Sequence, residues 1–166
     1  MKKILLAVAL LGAFLLGYGF RGITRPEKPG PRVTSIGGIF FKAKDPKTLK
    51  QWYADYLGMR MIPSGTNFEW RQGMDSTKKG FTIWAPFKET TKYFAPSDKQ
   101  FMINYRVEGL DALLAKMKQH GILPADSVEH TSYGNFVHIM DPEGNKIELW
   151  EADDVGFAKL GGVTSK

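Results

Sequence analysis

The sequence predicts an α+β fold of duplicated βαβββ modules, with mixed curved sheets, helices on the outer faces and a concave pocket. Three observations predict it. Two strand-then-helix segments, Ile36 to Gly58 and Phe101 to Gly121, follow one plan. Each is followed by three short strand candidates. The halves also close alike, with Thr82-Ile83-Trp84 answering Glu148-Leu149-Trp150. Strand, helix and closing strand together point to duplication rather than coincidence.

In the first module an alternating run from Ile36 leads to Asp45-Pro46, where Asp45 suits an N-cap and Pro46 the first helical position. Leu49, Trp52, Tyr53, Tyr56 and Leu57 recur at helical spacing, and Gly58 can stop the helix in a left-handed conformation. Trp52 and Tyr53 are assigned to helix packing. Strands are expected around Met59–Ile62, Asn67–Arg71 and Gly80–Pro86. In the second module the strand from Phe101 leads to a helix with Leu110, Leu113, Leu114 and Met117 on one face, closed by Gly121. Strands then follow around Asp126–Thr131, Asn135–Met140 and Lys146–Glu151. Phe41 corresponds to Tyr105 and Ala43 to Val107.

Residues 1–22 read as a signal peptide or an N-terminal membrane anchor. Two lysines precede an uncharged apolar run, Ile4 to Phe20, at the lower length limit for a span. Both forms imply export to the periplasm or cell envelope, with membrane contact only through this segment. Residues 23–33 are a Pro/Gly-rich linker, residues 34–152 the domain, and residues 153–166 a flexible C-terminal tail.

The 166 residues suffice for one domain. The net charge of +6 owes four charges to Lys2, Lys3, Arg21 and Arg25, and the remaining basic residues are scattered. A nucleic-acid partner is therefore not expected. The chain has no cysteine, which excludes disulfides, thiolate ligands and a Cys nucleophile.

The block Tyr133 to Glu151 (YGNFVHIMDPEGNKIELWE), with its Asp141-Pro142-Glu143-Gly144-Asn145 turn, and the Asp45…Trp52-Tyr53…Leu57-Gly58 pattern resemble the vicinal-oxygen-chelate superfamily: glyoxalase I, bleomycin-resistance proteins and extradiol dioxygenases. The resemblance covers about residues 34 to 151. It implies a metal held by four side chains on four strands, and these positions fall on Gly38, Thr82, Met102 and Glu148. Glycine offers no ligand, threonine is a poor one, and methionine suits soft ions. The expectation is therefore a degenerate site with no metal and no other cofactor.

Strand alternation places Lys146 and Trp150 beside Glu148, and Phe136 beside His138. Across a regular hairpin His138 faces Glu148, an acid/base couple in which the carboxylate favours imidazolium. These two are the candidate catalytic residues. The candidate ligand-binding residues are Gly38, Phe40, Trp70, Thr82, Trp84, Met102, Asn104, Phe136 and Trp150, with Tyr93-Phe94 and Trp70 at the rim of a roomy cavity. Aromatic residues on short strands also serve simply as core. His120 and His130 are read as surface residues.

Three functional readings follow. The first is a domain binding a small aromatic or hydrophobic organic molecule. The second is a metal-independent isomerase or lyase using His138 and Glu148 for proton transfer. The third is a metal-dependent enzyme of glyoxalase or dioxygenase type. A homodimer is compatible with all three.

Overall fold

The computed structural model describes residues 29–73, 75–160 and 164–165. The expected leader and most of the linker lie outside the described residues. No helix among the described residues is long and apolar enough to cross a membrane.

The first module contains β1 (Arg32–Ala43), α1 (Pro46–Leu57), β2 (Thr66–Gln72) and β3 (Asp75–Lys88). The second contains β4 (Phe101–Glu108), α2 (Leu110–Gln119), β5 (Glu129–Thr131), β6 (Gly134–Met140) and β7 (Lys146–Ala152). After them come α3 (Asp154–Lys159) and the two-residue β8 (Thr164–Ser165).

All the strands join one sheet in the order β5-β6-β7-β4-β1-β3-β2-β8. The duplication is visible in its pairing. β1 and β4 run antiparallel at the centre, and each is flanked by the closing strand of its own module in parallel. The two helices begin 64 residues apart, at Pro46 and Leu110. Phe40 therefore corresponds to Asn104 and Gly38 to Met102.

The helices lie on one face of the sheet. Beneath α2, the side chains of Val107, Leu110, Val137, Ile139 and Leu149 form a buried cluster with Leu113, Leu114 and Met117. α1 is held more lightly. Tyr53 packs on Trp84 with ring centroids 4.7 Å apart, whereas Trp52 remains 49% exposed. Asp45 caps α1 by accepting from the Lys47 and Thr48 amides, and Gly58 ends it at φ 67°.

The structure differs from the sequence reading in three places. No strand forms at 59–62, where only an isolated bridge joins Ile62 to Gly65. Pro63 lacks an amide hydrogen, and Gly65 turns at φ 151° against the Trp84 carbonyl, so the chain bends here. The strand expected from Asp126 begins at Glu129, because Asp126 is engaged with His138 and the Ala125 amide bonds the His138 carbonyl. Finally, residues 153–160 are not a loose tail. Asp153 caps α3, and Phe157 is buried against Phe81 and Trp150. A six-residue helix is too short for periodicity to reveal it.

Candidate functional site

Successive residues of a strand point to opposite faces, so the sheet face away from α1 and α2 is set by register. On it, Gly38 pairs with Asn104, Asn104 with Glu148, and Glu148 with His138. Phe40 pairs with Met102 on one side and Ala85 on the other. Gly38, Phe40, Met102, Asn104, Phe136, His138, Glu148 and Trp150 therefore share one face, as expected.

Thr82 and Trp84 do not join them. Trp84 faces α1, with its ring 5.1 Å from Phe41 and 4.7 Å from Tyr53. The Thr82 hydroxyl donates to the Ile36 carbonyl and accepts from the Trp70 indole. Their place on the inner face is taken by Ile83, Ala85 and Phe87, which pack with Phe40 and Met102. The pairing of Asn104 with Glu148 is answered in the first module by Phe40 with Ala85. The counterpart of Glu148 is therefore Ala85, not Thr82. Thr82 lies three residues before Ala85, and an odd offset along a strand puts a side chain on the other face. Trp70 lies apart from the centre, lining a separate cleft with Arg106.

The centre itself is solid. Met102, Asn104, Trp150 and Phe94 are fully buried, and Glu148, Phe40 and His138 nearly so. The roomy cavity expected there is filled by the loop between β3 and β4. Phe94 enters a cluster with Phe40, Ala85 and Met102, rather than sitting at a rim. Phe136 stacks on Trp150 at 5.6 Å, and Phe157 packs against the same indole at 5.4 Å, tilted by 56°.

Within this apolar setting lies a closed polar circuit. Glu148 accepts from the Tyr93 hydroxyl and from His138 Nε2, 3.0 Å away, on Oε1, and from the Asn104 amide on Oε2. His138 Nδ1 lies 2.6 Å from Asp126 Oδ2, and the Asp126 carboxylate also accepts from the His138 amide. Carboxylates only accept, so a ring that donates from both nitrogens is an imidazolium. Burial works against that charge, yet the bonds to Glu148 and Asp126 outweigh it and hold the His138 pKa above its ordinary 6.5. Lys146 donates to the Tyr93 carbonyl at 2.9 Å and lies over the Tyr93 ring. Burial first, then the Glu148 charge, pushes the Tyr93 phenol far above its usual range.

Asp126 and the Tyr93 hydroxyl were not among the candidates. Asp126 sits outside any strand and reaches His138 through a loop. Tyr93 was placed at the rim, and nothing in the local pattern reveals that its hydroxyl meets Glu148.

The donor set decides how well a metal fits. The four positions equivalent by strand register carry no side chain at Gly38, a methyl at Ala85, a thioether at Met102 and a carboxylate at Glu148. Both oxygens of that carboxylate already accept internal hydrogen bonds. Hard divalent cations want several oxygen or imidazole ligands, and these residues do not fit one. Among the described residues no group of three or more His, Cys, Asp or Glu is placed to hold a metal ion.

The model of the Glyoxalase/Bleomycin resistance protein/Dioxygenase superfamily matches residues 35–149. Among solved structures, a variant of methylmalonyl-CoA epimerase from Streptomyces coelicolor, in complex with 2-nitronate-propionyl-CoA, is 16% identical, with TM-score 0.52, over 72% of this chain and 97% of that one. The Mn(II)-bound glyoxalase from Novosphingobium aromaticivorans is 21% identical over 72% of this chain and 39% of that one, with TM-score 0.47. A search of curated proteins gave no match. At such identity the likeness to the epimerase speaks to the fold alone.

Proposed function

The chain belongs to the Glyoxalase/Bleomycin resistance protein/Dioxygenase superfamily, and from that premise we propose that it is a metal-independent binding domain for a small organic molecule. One observation carries this reading: the carboxylate retained at the fold's centre is saturated by Tyr93, His138 and Asn104 and shut from solvent. A general base must reach the proton it removes, directly or through one water. Both oxygens of Glu148 and both ring nitrogens of His138 are engaged within the fold, so neither has a position left for a substrate. Their role is to hold β4, β6, β7 and the β3–β4 loop together through buried polar contacts, in which Asn104 Oδ1 alone among the described atoms of the circuit lacks a partner.

The proton-transfer reading has one observation in its favour. Of the three donors to Glu148, Tyr93 comes from a loop and has a 40% exposed residue surface, so its withdrawal would free one position on Oε1 beside the contact with His138. The two readings separate experimentally. A set of small aromatic compounds is screened by the rise in melting temperature that binding produces, on the parent protein and on Glu148→Gln and His138→Gln. The binding reading expects at least one compound to stabilise all three proteins, each relative to its own baseline, and to be recovered unchanged. Turnover by the parent that both substitutions abolish would establish the catalytic reading instead.

A further inference from the structure

We propose that the cleft at the ends of β1, β2 and β4 is the ligand site, and that it takes a small, flat, uncharged molecule carrying a carbonyl acceptor, such as an aromatic carboxamide. This rests on the binding reading above and gives it a place and a ligand class.

The cleft has a volume of about 430 Å³, within the range of small-molecule sites. Pro29, Val33 and Trp70 give it apolar walls, and Arg32, Gln72 and Arg106 give it polar ones. Arg106 is the unusual member. It is 6% exposed, and its guanidinium lies between two indoles, 5.6 Å from the Trp70 ring and 4.9 Å from that of Trp150. Its Nη2 donates to Asp154 Oδ2 at 2.6 Å. Its Nη1 is buried and, among the described residues, has no partner. The same holds for Asp154 Oδ1 and for the hydroxyl of Ser35, which pairs with Arg106 across β1 and β4. Buried polar atoms are nearly always satisfied, and leaving one unmade is costly. An orphaned guanidinium donor on a residue that lines the cleft marks a place built for a ligand with an acceptor.

Charge selects the class. Asp154 already neutralises Arg106, and Glu108 lies 3.0 Å from Arg32. An anion entering here meets two carboxylates, and a cation meets two guanidiniums. A neutral acceptor meets neither penalty. Its carbonyl accepts from Nη1 of Arg106, which lines the cleft. An attached ring then lies along Trp70, as flat molecules do on aromatic walls.

The test uses three compounds of one shape and three charges: benzamide, benzoate and benzamidine. Each is titrated into the full-length protein, followed by tryptophan fluorescence and by calorimetry. Benzamide is expected to bind at least ten-fold more tightly than the other two, and Trp70→Ala to weaken it at least ten-fold. Arg106→Gln should weaken it as well; Trp70 is only half-buried, so its variant keeps the test valid if the Arg106 variant fails to fold. Equal or tighter binding of benzoate or benzamidine overturns the ligand class. Benzamide binding unchanged in Trp70→Ala, or absent up to its solubility limit, overturns the cleft. Compounds from the melting screen that bind regardless of Trp70→Ala overturn the cleft and leave the binding reading standing. A screen without any ligand removes the binding reading itself.

Discussion

Replacing His138 with alanine is expected to lower stability by about 3 kcal/mol, the scale for removing one partner of a buried ion pair. It leaves Glu148 with the Tyr93 and Asn104 donors only, in a setting where unpaired charge is expensive. The parent should also lose stability with rising pH, whereas the variant should lose most of that dependence. The sign follows from the raised pKa. Below the unfolded value of 6.5 both states carry the proton, and the imidazolium's contribution is fully present. Above 6.5 the folded state binds the proton that the unfolded state releases, so stability falls with pH until the folded pKa is passed. Urea midpoints measured from pH 5.5 to 9.5 would show this. A flat parent profile, or one shared by His138→Ala, would sink the assignment of a buried imidazolium.

Phe94→Ala is expected to cost about 3–5 kcal/mol, as for other large-to-alanine changes in a packed core. Phe94 is fully buried and packs with Phe40, Ala85 and Met102 at the centre of the inner face. Its ring is 5.4 Å from that of Phe87, and Lys42 Nζ lies 5.7 Å from its centroid. Removing it empties an apolar space walled by rigid strands, which cannot collapse onto the void. The measurement is the urea midpoint together with benzene binding, detected as a melting-temperature rise specific to the variant. A loss below about 1 kcal/mol would mean that Phe94 does not plug the centre.

Much of the fold was legible because its signals are local. Asp45-Pro46 and Gly58 bracket α1 by capping chemistry alone. The Asp141 turn forms as read, with its carboxylate accepting from the Glu143 and Asn145 amides and Gly144 at φ 76°. The facing of His138 and Glu148 followed from the length of that turn. What escaped depended on contacts between distant segments. The N-terminus of α2 has no side-chain cap of its own; Glu151 provides it across the fold, accepting from the Gly109 and Leu110 amides.

The candidate site divides along the same line. Alternation along β4, β6 and β7 was enough to put Met102, Asn104, Phe136, His138, Glu148 and Trp150 on one face. β3, at 14 residues, is long enough for the offset between modules to slip, and Thr82 and Trp84 went to the wrong face. The filling of the centre came from a loop whose sequence, Tyr93-Phe94, suits rim and plug equally. Burial of Phe94 and the reach of the Tyr93 hydroxyl are tertiary facts. They change the meaning of Glu148 from a free carboxylate to a saturated one.

The central claim is that Gly38, Ala85, Met102 and an internally satisfied Glu148 do not hold a divalent cation. Full-length protein incubated separately with Ni(II), Zn(II), Mn(II) and Fe(II), then freed of loose metal by gel filtration, should carry only substoichiometric metal by elemental analysis, with parent and Glu148→Gln alike. One tightly held ion per chain in the parent that disappears in Glu148→Gln would contradict the account.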